Sequence, residues 1–297
     1  MANGTNPNNA NGGGTVEGLQ TANLTEHAPA APRPQPAGAV AELRPGPGPL
    51  AIISDIHGNL EALTSVLEEI DDREIKRIIC LGDVVGYGPD PLECIDTVMT
   101  RCEFCLMGNH DFAIFFEPYN FNTPAENAAY WTRAQFETDP DTERRNKRWR
   151  YLGKMPTRGS NDRFVCYHGS PRRPINEYVF PDDIYAAPQK ISAIFDRIPQ
   201  LCFVGHTHVP GVFVPDPDFY SPEEINNRFT LGKDRAMINV GSVGQPRDRN
   251  PKASFAILHD DAVEFVRVSY DIQATVEKVR AIDALDNFLG ARLLDGR

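Results

Sequence analysis

Short apolar runs, each leading directly into a turn rich in Asp, Asn or His, recur along this chain. The first run covers residues 49–53 and is followed by Ser54 and Asp55. Such runs bounded by turn residues are typical of buried strands. Helical periodicity follows over residues 59–70, with Asn59 as the predicted N-cap, and again from about 91 to 100. Strands that alternate with helices predict a parallel sheet covered by helices.

The remaining periodicity predicts a second set of strands. Helical patterns cover residues 188–197 and 272–289. Further strands are predicted at residues 77–81, 103–107, 164–168, 201–204, 209–214, 236–240, 254–259 and 263–270. Because both halves of the chain are rich in strands, we predict two sheets that face each other.

Residues 1–47 differ in composition from the rest. They contain no aromatic residue, Cys or Ile, and are rich in Asn, Gly, Ala and Pro. Such a segment buries too little apolar surface to offset the entropy lost on ordering. We predict a disordered tail over residues 1–47 and a single domain over residues 48–297.

Charge and hydropathy narrow the functional classes. The net charge of −11 argues against general nucleic-acid binding, which favours a basic surface. No apolar run approaches the roughly 20 residues of a membrane span, and the first residues lack a secretory pattern. We therefore expect no membrane association and a cytoplasmic location. A small phosphorylated substrate stays compatible with the charge, because bound metal ions supply local positive charge.

Two other features are read as core packing. Three of the six cysteines, Cys80, Cys166 and Cys202, lie inside apolar runs, and the Cys102-x-x-Cys105 pair has no second pair to complete a zinc site. Residues 112–151 are helical in pattern and rich in aromatic residues. A cap that stacks on a substrate base is one interpretation, but helix faces buried against a sheet are the preferred one.

The polar residues at the strand ends form one set. Because ligand sites form at the carboxyl ends of strands in such sheets, we expect these side chains to meet. Residues two apart in an extended segment point to the same side, so His206 and His208 can face one site. Each residue alone has a structural explanation as a cap, a turn residue or a buried His, but five such loops together favour a site. The set is Asp55, His57, Asp83, Asn109, His110, His168, His206 and His208.

Mixed His and carboxylate ligands suit borderline divalent ions. Seven candidate ligands exceed what one ion needs. Two ions that share a carboxylate, about 3.5–4 Å apart, would fit and would hold a water for in-line attack on phosphorus.

Five ordered motifs resemble those of the calcineurin-like metallophosphoesterases. They are Asp55-x-His57, Gly82-Asp83, Gly108-Asn109-His110-Asp111, His168-Gly169 and Gly205-His206-x-His208. Residues 55–59, 86–90 and 239–247 further resemble a bacterial subgroup of predicted phosphoesterases. The resemblance covers residues 49 to about 270.

The resemblance implies an α/β fold with four αββα layers: two facing mixed sheets flanked by helices. It also implies two divalent ions, with manganese favoured over iron, zinc or nickel. Asp55, His57 and His208 would hold one ion, and Asn109, His168 and His206 the other. Asp83 would bridge both ions, the water between them would be the nucleophile, and His110 would assist the leaving oxygen or bind phosphate.

One motif departs from the protein-phosphatase branch of that family. Gly86 and Tyr87 occupy the places of an Asp that orients the catalytic His and an Arg that binds phosphate. Arg172, Arg173 and Arg247 are candidates to replace that Arg. The favoured function is a metal-dependent phosphoesterase, either a phosphodiesterase or a phosphatase, that acts on a small phosphoester. The alternatives are a protein Ser/Thr phosphatase and a non-catalytic protein-binding scaffold; substrate and oligomeric state stay unassigned.

Overall fold

The computed structural model describes residues 40–43 and 46–297. The strands in these residues are β1 (Val40–Glu42), β2 (Leu50–Ile53), β3 (Arg77–Cys80), β4 (Arg158–Ser160), β5 (Phe164–Cys166), β6 (Leu201–Val204), β7 (Gly211–Val214), β8 (Asp218–Tyr220), β9 (Arg228–Thr230), β10 (Ala236–Asn239), β11 (Ala253–Leu258) and β12 (Ala262–Val268). The α-helices are α1 (Leu60–Asp72), α2 (Pro91–Arg101), α3 (Asn109–Ala113), α4 (Thr123–Thr138), α5 (Thr142–Leu152), α6 (Asp183–Ala186), α7 (Pro188–Phe195), α8 (Ile272–Arg280) and α9 (Asn287–Ala291), and a 3₁₀ turn covers Arg292–Asp295.

The strands form two mixed sheets. The seven-stranded sheet has the order β1-β4-β5-β6-β10-β7-β8, and the five-stranded sheet has the order β3-β2-β11-β12-β9. In the larger sheet β6 runs parallel to β5 and β10, whereas β7 is antiparallel to β10. In the smaller sheet β2 runs parallel to β3 and antiparallel to β11.

Side-chain alternation along the strands places each sheet between two apolar layers. In β2, Leu50 and Ile52 contribute to the core between the sheets, while Ala51 and Ile53 belong to a core shared with α1 and α2. In β6, Phe203 belongs to the layer between the sheets, and Cys202 to a core shared with α7. Because successive strand residues point to opposite faces, both sheets are buried on both sides. The predicted four-layer αββα architecture is confirmed.

Helix α1 follows its sequence signals closely. The Asn59 side chain accepts a hydrogen bond from the Ala62 amide at 3.1 Å, as an N-cap does. The buried positions Leu63, Val66 and Ile70 lie three or four residues apart and face the sheet. The predicted helix over 59–70 is therefore confirmed.

Some predicted elements are wrong. The predicted strand at residues 103–107 is reduced to one isolated parallel bridge between Cys80 and Cys105. The predicted helix over 272–289 ends at Arg280 and resumes at Asn287, where Asp286 caps the new helix by accepting from the Phe288 amide. The short strands β4, β8 and β9 were not predicted, because three residues carry too little periodicity to be recognised.

The predicted disordered tail overlaps the sheet. Val40 to Glu42 form β1, which pairs in parallel with β4, and the Leu43 side chain is only 4% exposed. Residues 40–43 are therefore ordered, contrary to the prediction for residues 1–47. Of the rest of that prediction, Gly46 and Pro47 are exposed and outside any strand, and residues 1–39 and 44–45 lie outside the described residues.

The cysteines behave as core residues. Cys80, Cys94, Cys105, Cys166 and Cys202 are buried free thiols. Burial raises the pKa of the Cys94 and Cys202 thiols well above the ordinary value, which keeps them protonated. No helix in the described part of the chain is both long and apolar enough to cross a membrane.

The aromatic segment is divided between core and surface. Phe136 of α4 and Trp149 of α5 are buried with ring centroids 5.4 Å apart, in agreement with the preferred interpretation. Before α4 the segment differs: Phe116 and Tyr119 are exposed, and the Phe121 ring lies 4.5 Å from the His110 ring. This part of the segment reaches the candidate site described next.

Candidate metal centre

Polar side chains follow four neighbouring strands of the two sheets and converge at one edge. Asn109 and His110 join them from the first turn of α3. None of the eight residues is more than 8% exposed. The six residues that follow strands are Asp55 and His57 after β2, Asp83 after β3, His168 after β5, and His206 and His208 after β6.

The loops that carry these side chains have an uncommon backbone. Asp55, His57, Asp83, His206 and His208 all have φ between 51° and 66°. This left-handed region is uncommon for residues other than Gly and is concentrated at functional sites, where surrounding structure maintains it. Here the amides of Asp55 and His57 donate to the carbonyls of Gly82 and Asp83 at 2.9 and 3.0 Å.

Two glycines allow the loops to approach one another. A Cβ on Gly108 would lie 2.0 Å from Asp83 Oδ1, and one on Gly205 would lie 2.4 Å from Asp55 Oδ2. Any larger residue would displace a carboxylate. The Gly before each of these motifs is therefore required by close approach.

One group of donor atoms surrounds Asp55. His208 Nε2 lies 3.1 Å from Asp55 Oδ1, and His57 Nε2 lies 3.1 Å from His208 Nε2 and 3.8 Å from Asp55 Oδ1. Three donor atoms thus converge from two loops.

A second group surrounds His168. Its Nε2 lies 3.1 Å from His206 Nδ1, 3.2 Å from Asn109 Oδ1 and 3.3 Å from Asp83 Oδ2. Asp83 Oδ2 is also 3.7 Å from His57 Nε2 of the first group. One carboxylate oxygen therefore lies between the two groups.

Backbone carbonyls orient three of the imidazoles. Nδ1 of His57 lies 3.3 Å from the Val85 carbonyl and Nδ1 of His168 lies 3.1 Å from the Leu81 carbonyl. His208 makes the same contact with the Gln245 carbonyl at 2.6 Å. A carbonyl only accepts, so each Nδ1 carries a proton, and in the neutral form of each ring Nε2 directs its lone pair into the cluster.

His206 is turned the other way. Its Nδ1 faces the cluster, and its buried Nε2 has no hydrogen-bond partner among the described residues. The Tyr178 ring stacks on this imidazole, with centroids 3.8 Å apart.

The carboxylates of the cluster are ionised. Burial favours the neutral carboxyl, but His208 beside Asp55 and His168 beside Asp83 hold both pKa values far below the usual range. Burial likewise opposes charge on His168, yet the Asp83 carboxylate raises the pKa of His168 to about 9. Burial, helped by His168, lowers the pKa of His206 to about 3. The buried, ionised Asp83 carboxylate therefore favours positive charge beside it.

The donor set fits divalent metal ions. It offers imidazole nitrogens, two carboxylates and an amide oxygen, the mixture that borderline ions such as manganese, iron and zinc accept. Among the described residues, Asp55, His57 and His208 form one group able to hold an ion, and Asp83, His168 and His206 form another.

His110 lies beside the cluster with a free nitrogen. Its amide donates to Asp83 Oδ1 at 2.8 Å, and its ring contacts His57 and Tyr87 at centroid distances of 4.8 and 4.3 Å. Its buried Nδ1 has no hydrogen-bond partner in the described part of the chain. Burial lowers the pKa of His110 to about 4, so the ring is neutral at neutral pH.

Gly86 explains why no carboxylate orients His110 from the second motif. A Cβ on Gly86 would lie 2.4 Å from His110 Nδ1, and φ at Gly86 is 88°. An Asp at this position would therefore clash with the ring and strain the backbone.

Asp111 was missed by sequence reasoning. Its carboxylate accepts the amides of Asp83, Val84, Val85 and Gly108 at 2.7 to 3.3 Å. It therefore ties the Asp83 loop to the loop of Asn109. Its place directly after His110 was the available signal.

Of the three candidate phosphate-binding arginines, Arg247 lies at the site. Its amide donates to the His208 carbonyl at 3.2 Å, and its guanidinium donates to Gln245 Oε1 and lies 5.8 Å from the Tyr87 ring centroid. Arg172 instead lies 3.5 Å from the Glu177 carboxylate, and the Arg173 side chain is exposed. The Gln245 and Tyr87 contacts were not predictable from sequence spacing.

Comparison with known proteins finds a family model and a relative that match this chain. The family model described as calcineurin-like phosphoesterase matches residues 48–210. An uncharacterised protein of Methanocaldococcus jannaschii is 36% identical over 258 residues, which cover 84% of this chain and 98% of that protein.

Two crystal structures share the fold. The metallophosphoesterase from Sphaerobacter thermophilus is 36% identical, has a TM-score of 0.68, and is matched over 84% of this chain and 99% of its own. A hypothetical protein from Pyrococcus horikoshii has a TM-score of 0.64 with 19% identity, over 84% of this chain and 98% of its own, and is similar in fold.

Proposed function

This chain belongs to the calcineurin-like phosphoesterase family, and on that premise we propose that it hydrolyses a small phosphoester at two divalent metal ions. Metal-dependent phosphoester hydrolysis follows from the family and from the clustered Asp and His donors. The observation that carries the two-ion proposal is the position of Asp83 Oδ2, 3.7 Å from His57 Nε2 and 3.3 Å from His168 Nε2.

The ligand assignment follows the two groups of donor atoms. Asp83 would contact both ions, and manganese is favoured over iron, zinc or nickel. Asp55, His57 and His208 would hold the first ion, and Asn109, His168 and His206 the second.

Two bound cations would lower the pKa of a water molecule and offset the charge that builds on the phosphoryl oxygens. The side chains around them handle the substrate. His110, whose ring is neutral and whose buried Nδ1 is unpaired, would assist the leaving oxygen or bind the phosphate. Arg247, held by Gln245 at the rim, would contact a phosphoryl oxygen.

The alternatives have less support. A protein Ser/Thr phosphatase would use the Asp and Arg whose places are taken by Gly86 and Tyr87, and the Gly86 position leaves no room for the Asp. A non-catalytic scaffold would not need side chains from five loops whose donor atoms, in groups of three, lie within 4.8 Å of one another.

A metal-reconstituted activity screen tests the proposed reaction. The protein is stripped with a chelator, reloaded with manganese or, in parallel, with iron, zinc or nickel, and assayed with bis-p-nitrophenyl phosphate, p-nitrophenyl phosphate and a phosphopeptide. We expect hydrolysis of a small ester only after reloading. Preference for the phosphopeptide would support the phosphatase alternative, and inactivity with every ion would support the scaffold.

Replacing Asp83 tests the bridging role. Asp83→Asn weakens the charge that both ions would share, so elemental analysis should find fewer than two ions per chain and activity should fall at least about 100-fold. The control is Asp72→Asn, an exposed carboxylate at the end of α1. Two ions retained by the Asp83 variant would contradict the bridge.

A further inference from the structure

Two exposed aromatic side chains continue outward from the candidate metal centre. The Tyr178 ring stacks on His206 with centroids 3.8 Å apart and planes 24° apart. The Phe180 ring is parallel to Tyr178, with centroids 5.5 Å apart and planes 2° apart. Tyr178 is 42% exposed and Phe180 is 46% exposed. Three stacked rings therefore lead from the site toward solvent, and we call Tyr178 and Phe180 the aromatic shelf.

The aromatic shelf is held in place by its own segment. Val179, between the two rings in sequence, is 2% exposed and belongs to the core beneath α6 and α7. Lys190 Nζ donates to the Tyr178 carbonyl at 2.7 Å, and the Phe180 amide donates to Asp183 Oδ2 at 2.8 Å. The rings are therefore presented by an anchored backbone, which lowers the entropy lost when a ligand stacks on them.

The exposure of the shelf differs from that of other surface aromatics. Single exposed aromatic residues are common and need no explanation. Tyr185, in α6, is 80% exposed and is such a residue, since no described ring contacts it. The shelf instead combines two stacked rings with direct contact to a residue of the metal centre, and a planar group is the ligand that stacked, uncharged rings favour.

We propose, resting on the proposed function, that the aromatic shelf binds the base of a nucleoside phosphate whose phosphate group lies at the metal centre. Phe180 is connected to His206 through the Tyr178 ring, by ring-to-ring steps of 5.5 and 3.8 Å. A ring attached directly to phosphate would stay near His206. A base carried on a sugar extends far enough to reach Phe180.

Calorimetric titration of the manganese-loaded protein tests the shelf without relying on turnover. The probes are phosphonate analogues of adenosine monophosphate and of ribose 5-phosphate, which differ only in the adenine and cannot be cleaved at the ester position. We expect the adenine-containing analogue to bind at least about five-fold more tightly, the lower end of what one stacked base contributes. Phe180→Leu should reduce that ratio toward one, and Phe180→Tyr should restore it.

Tyr185→Leu is the matched control, since it removes an exposed aromatic residue outside the shelf and should leave the ratio unchanged. Equal affinity for both analogues, no binding of either, or a ratio unaffected by Phe180→Leu would each overturn the shelf. Hydrolysis of bis-p-nitrophenyl phosphate reports on the proposed function separately. Hydrolysis without adenine preference would contradict only the proposed role of the shelf. Adenine preference without hydrolysis of any ester would contradict only the proposed reaction.

Discussion

Asp111 is central to the site although it has no assigned role as a ligand. Four backbone amides, from Asp83, Val84, Val85 and Gly108, donate to its two oxygens. Burial and the nearby Asp83 carboxylate raise the pKa of Asp111 to about 7, while the amide donors oppose that rise. The side chain therefore holds the Asp83 loop in its left-handed conformation.

Asp111→Asn should loosen that loop. An amide group replaces one oxygen and turns a donor toward two backbone amides, which costs about 2–4 kcal/mol of unfolding free energy. We expect urea denaturation to show this loss and metal titration to show weaker binding. Asp260→Asn serves as the control, because the Asp260 side chain is 97% exposed. Unchanged stability and metal affinity would show that the amides do not depend on the charge.

His110→Ala separates chemistry from metal binding. Because His110 has a free buried Nδ1 and Asp83 is held through its backbone amide, its side chain can be removed without breaking that hydrogen bond. We expect kcat to fall about 100-fold or more while elemental analysis still finds the metal content of the wild type. Loss of an ion would make His110 a ligand, in line with its grouping near His57 and Asp83.

The residues of the site were more predictable from the sequence than the atoms through which they meet. The motifs predicted all eight residues, and the structure brings them together. They did not predict that His206 faces the cluster with Nδ1 while His57, His168 and His208 use Nε2. That choice depends on carbonyls elsewhere in the chain, such as Gln245, and sequence spacing carries no information about them.

Among the elements, α1 connects the site loops to the C-terminal helices. The Asn59 side chain caps α1 and also accepts from Thr275 Oγ1 at 3.1 Å. Its amide group donates to the Gly244 carbonyl at 2.9 Å and to the Tyr270 hydroxyl at 3.2 Å. The cap was predicted from the sequence, but the three distant partners were not.

Asn59→Ala should cost more than loss of a cap. A cap alone contributes about 1 kcal/mol, and the buried groups left without partners add to it, so we expect a loss of about 3 kcal/mol in chemical denaturation. Asn122→Ala is the comparison, because Asn122 caps α4 through the Ala125 amide at 3.0 Å from an exposed position. Equal losses for the two variants would mean that the distant partners contribute little.

At the scale of the whole molecule, local periodicity predicted the two sheets but not the order of strands. Helix and strand patterns depend on neighbours in sequence, and they predicted two facing sheets, whereas the four-layer arrangement with helices outside was implied by the family resemblance. Placement of β10 between β6 and β7, and of β1 at the edge beside β4, depends on pairing between distant segments. For β1 the composition was misleading, because the three strand residues and Leu43 lie between Pro- and Gly-rich stretches that predict disorder.

Two truncations measure what β1 contributes. Removing residues 1–47 removes β1, its pairing with β4, and the Leu43 side chain from the core between the sheets. Removing residues 1–39 retains all three, so the difference between the truncations isolates residues 40–47. Loss of a buried Leu costs about 2 kcal/mol or more, and for a domain of this size each kcal/mol lowers Tm by about 2–4 °C. We therefore expect Tm of the longer truncation to be about 5 °C lower or more.

Activity should be similar in the two truncated proteins, because β1 is an edge strand and the site loops follow β2, β3, β5 and β6. Leu43→Ala in the complete chain should reproduce part of the Tm difference, because it removes the buried side chain. It keeps the strand backbone and the hydrogen bond that the residue 43 amide donates to the Ser160 carbonyl. Equal Tm values for the two truncations would show that pairing of β1 adds nothing to stability, and the stable domain would then begin near residue 48 as its composition predicts.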